Sequence, residues 1–426
     1  MSKSEFRKAL AECGTGNLRM TEDKHGHRLF CYTKQCFFDR NSWNETTISH
    51  RGRLYFENVK VNHPFKKIFN VDEVDSTQSD IVERRMKEEP YDVYDKANGH
   101  LFIMSNFVDS KGEQHVVFST KGSLPNPEND LLNDDIKIFV SLYGEQLDKL
   151  VNIMPNCTLM FEAIVAHDKH SMYDLQVEQY GKENCFVLLG AAVNLGYDYD
   201  QLGEKFVKSA VVHSKHNNTT LEDEPWVECE WDQMYNIAQF IRCPIIEKYD
   251  EMDGTPKMWK EHTDREGYVI RFLTNNDRVK VKTDEYWKNR FKKDLTPEKI
   301  LGMYVKGGIK LMQEKLPEEM ANGAIGVITN RHENWYLSDV VDHKEVYGFI
   351  ADKQDNFTSE DRKWLFTKSL YTIRQRQYII AIIEGKGIDV VANKTLRNDF
   401  VEYVKESSNI YDTISKELEE VVYNAL

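Results

Sequence analysis

A lysine followed at close range by a glycine is the first feature of the sequence that could do chemistry. Residues 95–100 read DKANGH, so Lys96 and Gly99 form a K-x-x-G pattern. A nucleophilic lysine needs an amine that can lose its proton, and a nearby glycine leaves room for a phosphate to approach the backbone. The pattern alone is a weak signal, because Lys299 and Gly302 match it as well. There the start of a helix explains the residues.

Two more lysines, Lys280 and Lys282, alternate with valines in the segment RVKVK at 278–282. Residues two apart on a strand project to the same face, so these lysines would share one face while Val279 and Val281 face the core. Such a pair of cations could neutralise a triphosphate. Lysines on an exposed edge strand are the simpler alternative.

Two glutamates occur among apolar strand residues. Glu162 lies in the run LMFEAIV at 159–165, and Glu266 directly precedes the run GYVI at 267–270. A buried carboxylate needs a partner, which can be a cation or a metal ion. Magnesium takes one or two carboxylates together with substrate phosphates and water. A structural salt bridge is the alternative for each glutamate.

Two basic positions nearer the N-terminus are candidates for phosphate contact. Arg51 opens the run RGRLYFE at 51–57, and Lys67 lies in the run FKKIFN at 65–70. Arg and Lys both suit phosphate oxygens. Surface solvation is the competing explanation for each of them.

Taken together and in this order, the segments resemble the covalent nucleotidyltransferase superfamily of ligases and capping enzymes. They are most similar to the T-even bacteriophage RNA ligase 1 family. The combination is specific, although no single segment is. The matching segments are RGRLYFE at 51–57, KIFN at 67–70, KANG at 96–99, STKGS at 119–123, FE at 161–162, EGYV at 266–269 and VKVK at 279–282.

The resemblance implies a three-step reaction. Lys96 would attack ATP and carry AMP covalently, the AMP would pass to an RNA 5′-phosphate, and a 3′-hydroxyl would then seal the ends. Lys96, Lys280 and Lys282 would be the catalytic residues, and Glu162 and Glu266 would hold Mg²⁺. The residues that the resemblance implies for ATP binding are Arg51, Lys67, Lys121, Glu162, Glu266, Lys280 and Lys282.

One position departs from the family pattern. The nucleophile motif of the family is usually K-x-D-G, and the third position here is Asn98. Asparagine can accept a hydrogen bond but carries no charge. We therefore expect a weaker metal site, which Asp95 or another carboxylate could compensate. We also expect Lys67, Lys280, Lys282 and a magnesium ion to favour the neutral amine of Lys96.

The elements that must position these residues form an α+β chain. Residues from about 50 to 290 are strand-rich. The resemblance implies an antiparallel-sheet nucleotidyltransferase domain of the ATP-grasp-like ligase type at 1–293. An all-α C-terminal domain would follow at 294–426 and would bind tRNA or other RNA. Within the body, residues 267–272 and 278–282 should form a hairpin, and residues 215–224 a surface loop.

Helix signals appear near the proposed boundary and beyond it. Thr296 can cap a helix that begins at Pro297. A capping box at Thr358 predicts a long helix that includes residues 364–384 and ends at Gly385 and Gly387. Residues 396–426 also have a helical pattern.

The composition narrows the class of protein. The formal net charge of −14 excludes a generally basic nucleic-acid coat and points to a focused site. The sequence has no apolar run that could span a bilayer and no signal region, so we expect a cytoplasmic protein with no membrane contact. It would be the host-cell cytoplasm if the chain is phage-encoded. The seven cysteines include no C-x-x-C pair and should be reduced and mostly buried. A monomer is the default expectation.

Other functions remain open at this point. A DNA ligase or an mRNA guanylyltransferase would use the same lysine strategy. A non-catalytic RNA-binding protein with a decayed site is favoured only by Asn98. The resemblance suggests cleaved tRNA as the substrate, with a polynucleotide kinase-phosphatase as a partner that prepares the ends.

Overall fold

The computed structural model of the chain divides into two compact units, Met1–Asn289 and Arg290–Leu426. The residues that the structure describes are 2–168, 173–197, 199, 201–206, 226–250, 252–316, 318–338, 344–385, 394–406 and 408–425. The predicted surface loop at 215–224 therefore lies outside the described residues. The predicted boundary at 293/294 lies close to the division between the units.

The strands belong to the first unit. They are β1 (Leu18–Glu22), β2 (Arg28–Tyr32), β3 (Arg51–Phe56), β4 (Val59–Lys60), β5 (Phe69–Asn70), β6 (Tyr91–Asp95), β7 (His100–Val108), β8 (Gln114–Thr120), β9 (Cys157–Ile164), β10 (Cys185–Asn194), β11 (Trp226–Glu228), β12 (Lys248–Tyr249), β13 (Gly267–Phe272) and β14 (Arg278–Lys282). Among the described residues they form three sheets, with the orders β1-β2-β3-β4, β11-β10-β9-β7-β8 and β12-β6-β13-β14-β5. Every pairing is antiparallel except that of β14 with β5.

Among the described residues, helices alternate with the strands in the first unit and follow one another in the second. Those of the first unit are α1 (Ser2–Gly14), α2 (Gln35–Phe38), α3 (Glu45–Ser49), α4 (Ser79–Glu88), α5 (Asp130–Ile153), α6 (Tyr173–Tyr180), α7 (residues 201–206), α8 (Trp231–Ile241), α9 (Pro256–Trp259) and α10 (Asp284–Asp294), which reaches into the second unit. The others are α11 (Pro297–Lys315), α12 (Glu318–Ser338), α13 (Lys344–Lys353), α14 (Ser359–Thr367), α15 (Ile373–Glu384), α16 (Lys394–Glu406) and α17 (Ser408–Ala425). The predicted α+β class with a helical C-terminal region is confirmed.

The largest core lies between the β9 sheet and helix α5. Asn129 caps α5 by accepting a hydrogen bond from the Leu132 amide, and the helix then buries residues at three- and four-residue intervals. Phe139 lies at the centre, with its ring 4.9–5.0 Å from those of Phe102, Phe161 and Phe186. These contacts fix helix α5 against strands β7, β9 and β10.

The third sheet carries the predicted hairpin. β13 and β14 pair antiparallel, so that Gly267 lies opposite Lys282. Val279 and Val281 are buried in a cluster with Trp259 and Ile270, as the alternation predicted. This burial fixes the register of β14, because a slip by one residue would exchange the faces of the valines and the lysines.

The second unit confirms the helical prediction but corrects one helix. Thr296 caps α11, and Thr358 forms the predicted capping box with Asp361. The single long helix predicted to include residues 364–384 is wrong, because α14 ends at Thr367 and α15 begins at Ile373. Thr372 starts the second helix with a capping box of its own. Gly385 ends α15 in the left-handed conformation, as predicted; Gly387 lies outside the described residues.

Two other expectations are tested by the described residues. No described helix is long and apolar enough to cross a membrane. All the cysteines are free, and all except the half-buried Cys13 are buried. The expectation of mostly buried thiols is therefore confirmed, and their reduced state stays a prediction.

Replacement of Phe139 by alanine should destabilise the first unit strongly. Removal of a fully buried ring that contacts three other phenylalanines should lower the free energy of unfolding by about 3–5 kcal/mol. Val140 is the matched control, since it is the next residue of α5 and is 47% exposed. Val140→Ala should change the stability by less than about 0.5 kcal/mol in the same denaturant titration. Equal losses from the two variants would contradict the position of this core.

Candidate active site

Lys96 lies at the junction between two sheets. It directly follows β6, and its amide donates a hydrogen bond to the Gly267 carbonyl, at 3.0 Å, on β13. Its side chain is 18% exposed, and its amine lies 2.9 Å from a carboxylate oxygen of Glu266. The lysine of the K-x-x-G pattern is therefore mostly buried and faces a carboxylate rather than bulk solvent.

Gly99 allows this segment to approach the neighbouring strand closely. A Cβ atom at this position would lie 2.2 Å from the carbonyl oxygen of Ala163 on β9. The Gly99 amide donates a hydrogen bond of 3.0 Å to the side chain of Glu162. A larger residue here would push the chain away from β9, so the glycine of the pattern has a steric reason.

The structure brings the two predicted glutamates to the same lysine. Glu162 lies on β9, and Glu266 directly precedes β13; both are buried. The backbone of Glu266 is fixed because its carbonyl accepts a hydrogen bond of 2.9 Å from the Thr283 amide. Two carboxylates from different sheets therefore approach one amine.

Lys282 joins this group from the opposite strand. It is buried, and its amine lies 4.7 and 4.6 Å from the ring centres of Tyr286 and Trp287. Lys280 is half-buried and lies two residues earlier on β14, on the same face. Since Val279 and Val281 occupy the core on the other face, the lysines are not simply solvated edge residues.

The carboxylates dominate the electrostatics of Lys96. Burial of the amine lowers its pKa, but Glu266 and Glu162 raise it by more, and Lys282 opposes them only in part. The net pKa of Lys96 is therefore above its ordinary value. Our expectation that neighbouring cations would favour the neutral amine is wrong for this arrangement, because the nearest charge is the Glu266 carboxylate rather than a lysine.

Asn98, the position that departs from the family pattern, is also buried. Its backbone N–H donates a hydrogen bond of 2.9 Å to the side-chain oxygen of Gln176. Its own side-chain oxygen is buried and has no hydrogen-bond partner among the described residues. Unpaired buried oxygens are uncommon, and this one belongs to the residue two positions after Lys96.

Asp95, which we expect could compensate for the missing aspartate, is buried directly before Lys96. One of its oxygens accepts a hydrogen bond of 3.3 Å from Gln179, and the other lies 3.7 Å from the guanidinium of Arg265. Burial raises the pKa of Asp95 to about 6, although Gln179 and Arg265 counteract it. One oxygen of Asp95 is therefore engaged by Gln179, whereas the other is buried with no hydrogen-bond partner among the described residues.

The other residues predicted to contact ATP lie elsewhere in the first unit. Lys67 forms an ion pair with Glu73 at 2.9 Å, and its amine lies 4.9 and 5.6 Å from the rings of Phe69 and Trp43. Arg51 begins β3, and Lys121 directly follows β8 with its amine 5.8 Å from the ring of Tyr32. The structure thus gathers Lys96, Glu162, Glu266 and Lys282 by contact or by charge, with Lys280 on the same face as Lys282. Arg51, Lys67 and Lys121 lie outside that group.

The sequence did not reveal a histidine network beside the motif. His100 contacts Asp135 at 2.8 Å and Asp168 at 3.3 Å, and His167 contacts Asp135 at 3.1 Å. Burial lowers the pKa of His100, but Asp135 and the other carboxylates raise it by more, so it is above its ordinary value. The position of His100 directly after Gly99 was the available signal. Its partner on α5 could not be found without the fold.

The donors near Lys96 fit a divalent cation. Glu162 and Glu266 supply hard carboxylate oxygens, and Asn98 supplies a buried oxygen with no hydrogen-bond partner among the described residues. Mg²⁺ and Mn²⁺ both accept such donors together with phosphate oxygens and water. The fit is chemical and does not depend on Asp95.

Comparison with known proteins identifies the family. Residues 48–295, more than half of the chain, match the protein family described as RNA ligase. The chain belongs to this RNA ligase family, the ligase 1 family that its motifs resemble. No curated protein matches the chain.

Solved structures of RNA ligases are similar to parts or all of the chain. An apo mutant of the Naegleria gruberi RNA ligase has 14% identity and a TM-score of 0.34, over 54% of this chain and 57% of that one. A mutant of the same ligase with ATP and Mn has 15% identity and a TM-score of 0.29, over 52% and 56%. An archaeal ATP-dependent RNA ligase has 11% identity and a TM-score of 0.41, over 97% and 95%. The chain thus spans little more than half of the length of these two Naegleria structures.

The buried carboxylate of Asp95 predicts a pH-dependent stability. Its pKa of about 6 in the folded protein exceeds the unfolded value of about 3.9, so the folded state holds this proton more tightly. The contribution of Asp95 to stability is therefore lost as the pH rises from about 4 through about 6, by about 3 kcal/mol in total. Asp95→Asn removes this titratable group. The free energy of unfolding of the variant minus that of wild type should therefore increase as the pH rises over that range. Thermal unfolding at several pH values measures it.

The exposed Asp250 provides the control for this prediction. Asp250→Asn should leave the pH dependence of stability unchanged. A difference between Asp95→Asn and wild type that is constant with pH would contradict the burial of this carboxylate.

Proposed function

We propose that the chain is an ATP-dependent RNA ligase that joins 5′-phosphate and 3′-hydroxyl RNA ends through a covalent adenylate on Lys96. Membership of the RNA ligase family gives the general reaction. The observation that carries the specific proposal is the buried amine of Lys96, 2.9 Å from Glu266 and within the field of Glu162 and Lys282. Strongly perturbed ionisable groups in such clusters usually mark working sites.

The proposed reaction balances over three transfers. The Lys96 nitrogen attacks the α-phosphorus of ATP, a P–N bond forms, and the α–β P–O bond breaks to release pyrophosphate. A 5′-phosphate oxygen of RNA then attacks the same phosphorus, the P–N bond breaks, and the lysine leaves as an amine. Finally the 3′-hydroxyl attacks the activated 5′-phosphate, a phosphodiester forms, and AMP leaves.

The residues around Lys96 have distinct parts in the first transfer. Glu266 holds the Lys96 amine at a fixed position, but it also favours the protonated form of that amine. Release of that proton requires the Glu266 and Glu162 carboxylates to acquire other partners. Lys280 and Lys282 offer the positive charge that stabilises the triphosphate and the departing pyrophosphate. Arg51, Lys67 and Lys121 stay predicted ATP contacts.

A divalent ion fits this scheme. When bound, it would neutralise carboxylate charge and polarise the phosphate oxygens. Glu162 and Glu266 would hold it, and the Asn98 oxygen would accept a hydrogen bond from its water. We expect Mg²⁺ to be the natural ion. The lack of charge at Asn98 should weaken the affinity relative to a K-x-D-G ligase.

Several broader expectations belong to the same proposal. The substrate is RNA, and we propose that it is tRNA cleaved in its anticodon loop, with a kinase-phosphatase to prepare its ends. We further propose that the helical region from 294 to 426 binds that RNA. The expected setting is a monomer in the cytoplasm, which would be that of a host cell if the gene is carried by a phage.

Lys96→Ala should abolish covalent labelling of the protein by ATP that is radioactive at the α-phosphate, because the substitution removes the amine that would bond to the α-phosphorus. Lys299→Ala is the matched control, since Lys299 lies in the same K-x-x-G pattern but on helix α11. It should label like wild type. A labelled band that persists in Lys96→Ala would rule out the proposed nucleophile.

Covalent labelling and end-joining assays together separate the rival functions. Labelling by GTP instead of ATP would favour an mRNA guanylyltransferase. Sealing of a nicked DNA duplex, but not of RNA with a 5′-phosphate and a 3′-hydroxyl, would favour a DNA ligase. Absence of labelling from wild type with ATP and Mg²⁺ or Mn²⁺ would favour a non-catalytic RNA-binding protein.

Glu266→Gln should shift the pH dependence of labelling to lower pH. The Glu266 carboxylate raises the pKa of Lys96, so the neutral amide should let the amine lose its proton at lower pH. The rising limb of kcat/KM for ATP reports this group in the free enzyme. The plateau rate should also fall, because a proposed metal ligand is lost.

The exposed Glu261 provides a control variant, Glu261→Gln, whose rising limb should coincide with that of wild type. A limb that does not move in Glu266→Gln, or moves to higher pH, would contradict the pairing.

A further inference from the structure

A hairpin that precedes the family-matched residues carries an arginine toward the predicted site. The match begins at residue 48, whereas β1 and β2 occupy Leu18–Glu22 and Arg28–Tyr32. In the first sheet Arg19 lies opposite Cys31, and Cys31 lies opposite Arg51. Directly opposed residues in antiparallel strands share one face of a sheet, at about 5 Å per strand. Arg19 and Arg51 therefore lie on one face, two strands apart.

The turn after β8 brings a third cation to this face. A Cβ atom at Gly122 would lie 2.1 Å from a guanidinium nitrogen of Arg19, so the guanidinium rests on the backbone of that glycine. A Cβ atom at Gly52 would lie 3.3 Å from the Cα atom of Lys121. Gly52 has a φ of 82° and forms the bulge that separates Arg51 from the regular register of β3. The close contacts at Gly52 and Gly122 thus bring the Arg19 guanidinium, the bulge that follows Arg51 and the backbone of Lys121 to one turn.

This group of three cations lies close to the carboxylates of the site. Thr120, the last residue of β8, pairs with Phe102, and Phe102 pairs with Phe161. Lys121 follows Thr120, and Leu101 precedes Phe102 on the paired strand. Leu101 pairs in turn with Glu162, so Lys121 lies two strands away from Glu162 in the sheet. Lys121 therefore begins about two strand spacings, or roughly 10 Å, from Glu162.

The three cations differ from their neighbours in their ionic partners. Among the described residues, none of Arg19, Arg51 and Lys121 has a carboxylate within ion-pair distance. Other cations of the same sheet are paired, since Arg28 contacts Glu22 at 3.2 Å and Lys60 contacts Glu5 at 3.7 Å. In a chain with a net charge of −14, like charges held together without carboxylates point to an anionic ligand.

Exposure distinguishes two members of this group from Lys282 on β14, whereas Arg51 and Lys280 are both half-buried. Arg19 and Lys121 are exposed, whereas Lys282 is buried. A small triphosphate can be enclosed by buried cations, but an RNA strand must leave the site, and its backbone phosphates need cations at the surface. Arginine forms bidentate hydrogen bonds with a phosphate, which suits this task.

We propose that Arg19 binds a backbone phosphate of the RNA strand that enters the site, together with Arg51 and Lys121. The proposal rests on the proposed ligase function and extends the site to a hairpin outside the family-matched residues. It makes Arg19 a binding residue for RNA rather than for ATP. The phosphates of ATP are the competing source of the same ligand chemistry, and the experiment separates the two.

Arg19→Ala tests this in two arms. One arm measures binding of a single-stranded RNA with a 5′-phosphate by fluorescence anisotropy, at two salt concentrations. The other measures the rate of covalent labelling by ATP without RNA. We expect RNA affinity to fall by about tenfold, the loss of one charge-assisted phosphate contact. The slope of log affinity against log salt should fall by about 0.7. The labelling rate should stay within about twofold of wild type.

Lys24→Ala is the matched control, because Lys24 is an exposed cation at the turn of the same hairpin, far from Arg51. It should bind RNA like wild type. RNA affinity within about twofold of wild type in Arg19→Ala would overturn the proposal, and so would an equal loss in the labelling arm. Arg19→Lys, which keeps the charge, should recover part of the RNA affinity and guards against a folding defect. Failure of wild type itself to label would instead count against the proposed function.

Discussion

The close approach of Gly99 to β9 is the constraint on which the rest of the site depends. Because a Cβ atom would collide with the Ala163 carbonyl, the chain can pass from β6 to β7 beside β9 only with glycine at this position. That passage directs the Lys96 amine to Glu266 on the third sheet and binds the Gly99 amide to Glu162 on the second. A single backbone contact thus brings carboxylates from two sheets to one lysine.

The charges around the Lys96 amine favour its protonated, resting form over the neutral form that can act as a nucleophile. The Glu266 and Glu162 carboxylates hold the proton on Lys96, and the nearest cation, Lys282, is itself supported by two aromatic rings. In the proposed reaction, nucleophilic attack by Lys96 would require these carboxylates to be engaged elsewhere. This coupling would tie loss of the proton to arrival of the metal and the nucleotide, and so protect the amine between reactions.

Local sequence patterns were sufficient to predict those features that depend on a single segment of the chain. The alternation of β14 predicted which faces the valines and lysines occupy, and the capping residues Thr296 and Thr358 predicted helix starts. The break between α14 and α15 was missed, although Thr372 and Gln375 form a capping box that the sequence displays. The favourable helix propensity of the flanking residues obscured it, and the fully exposed Leu370 lies in the break.

Properties that depend on distances between remote segments could not be predicted. The sequence indicated that Lys96, Glu162, Glu266 and Lys282 could belong together, but the sign of the Lys96 pKa depends on which charge is nearest. The Asp135 partner of His100, the Trp43 ring beside Lys67 and the Arg19 guanidinium on Gly122 come from elements with no motif of their own. Their roles become visible only when the strands are paired.

The most direct test of this account is peptide mapping by mass spectrometry after incubation of the full chain with ATP and a divalent metal ion. The account predicts one adenylate group, on the peptide that contains Lys96 and at that residue. An adenylate at Lys280, Lys282, Lys299 or any other lysine, or none at all, would contradict it.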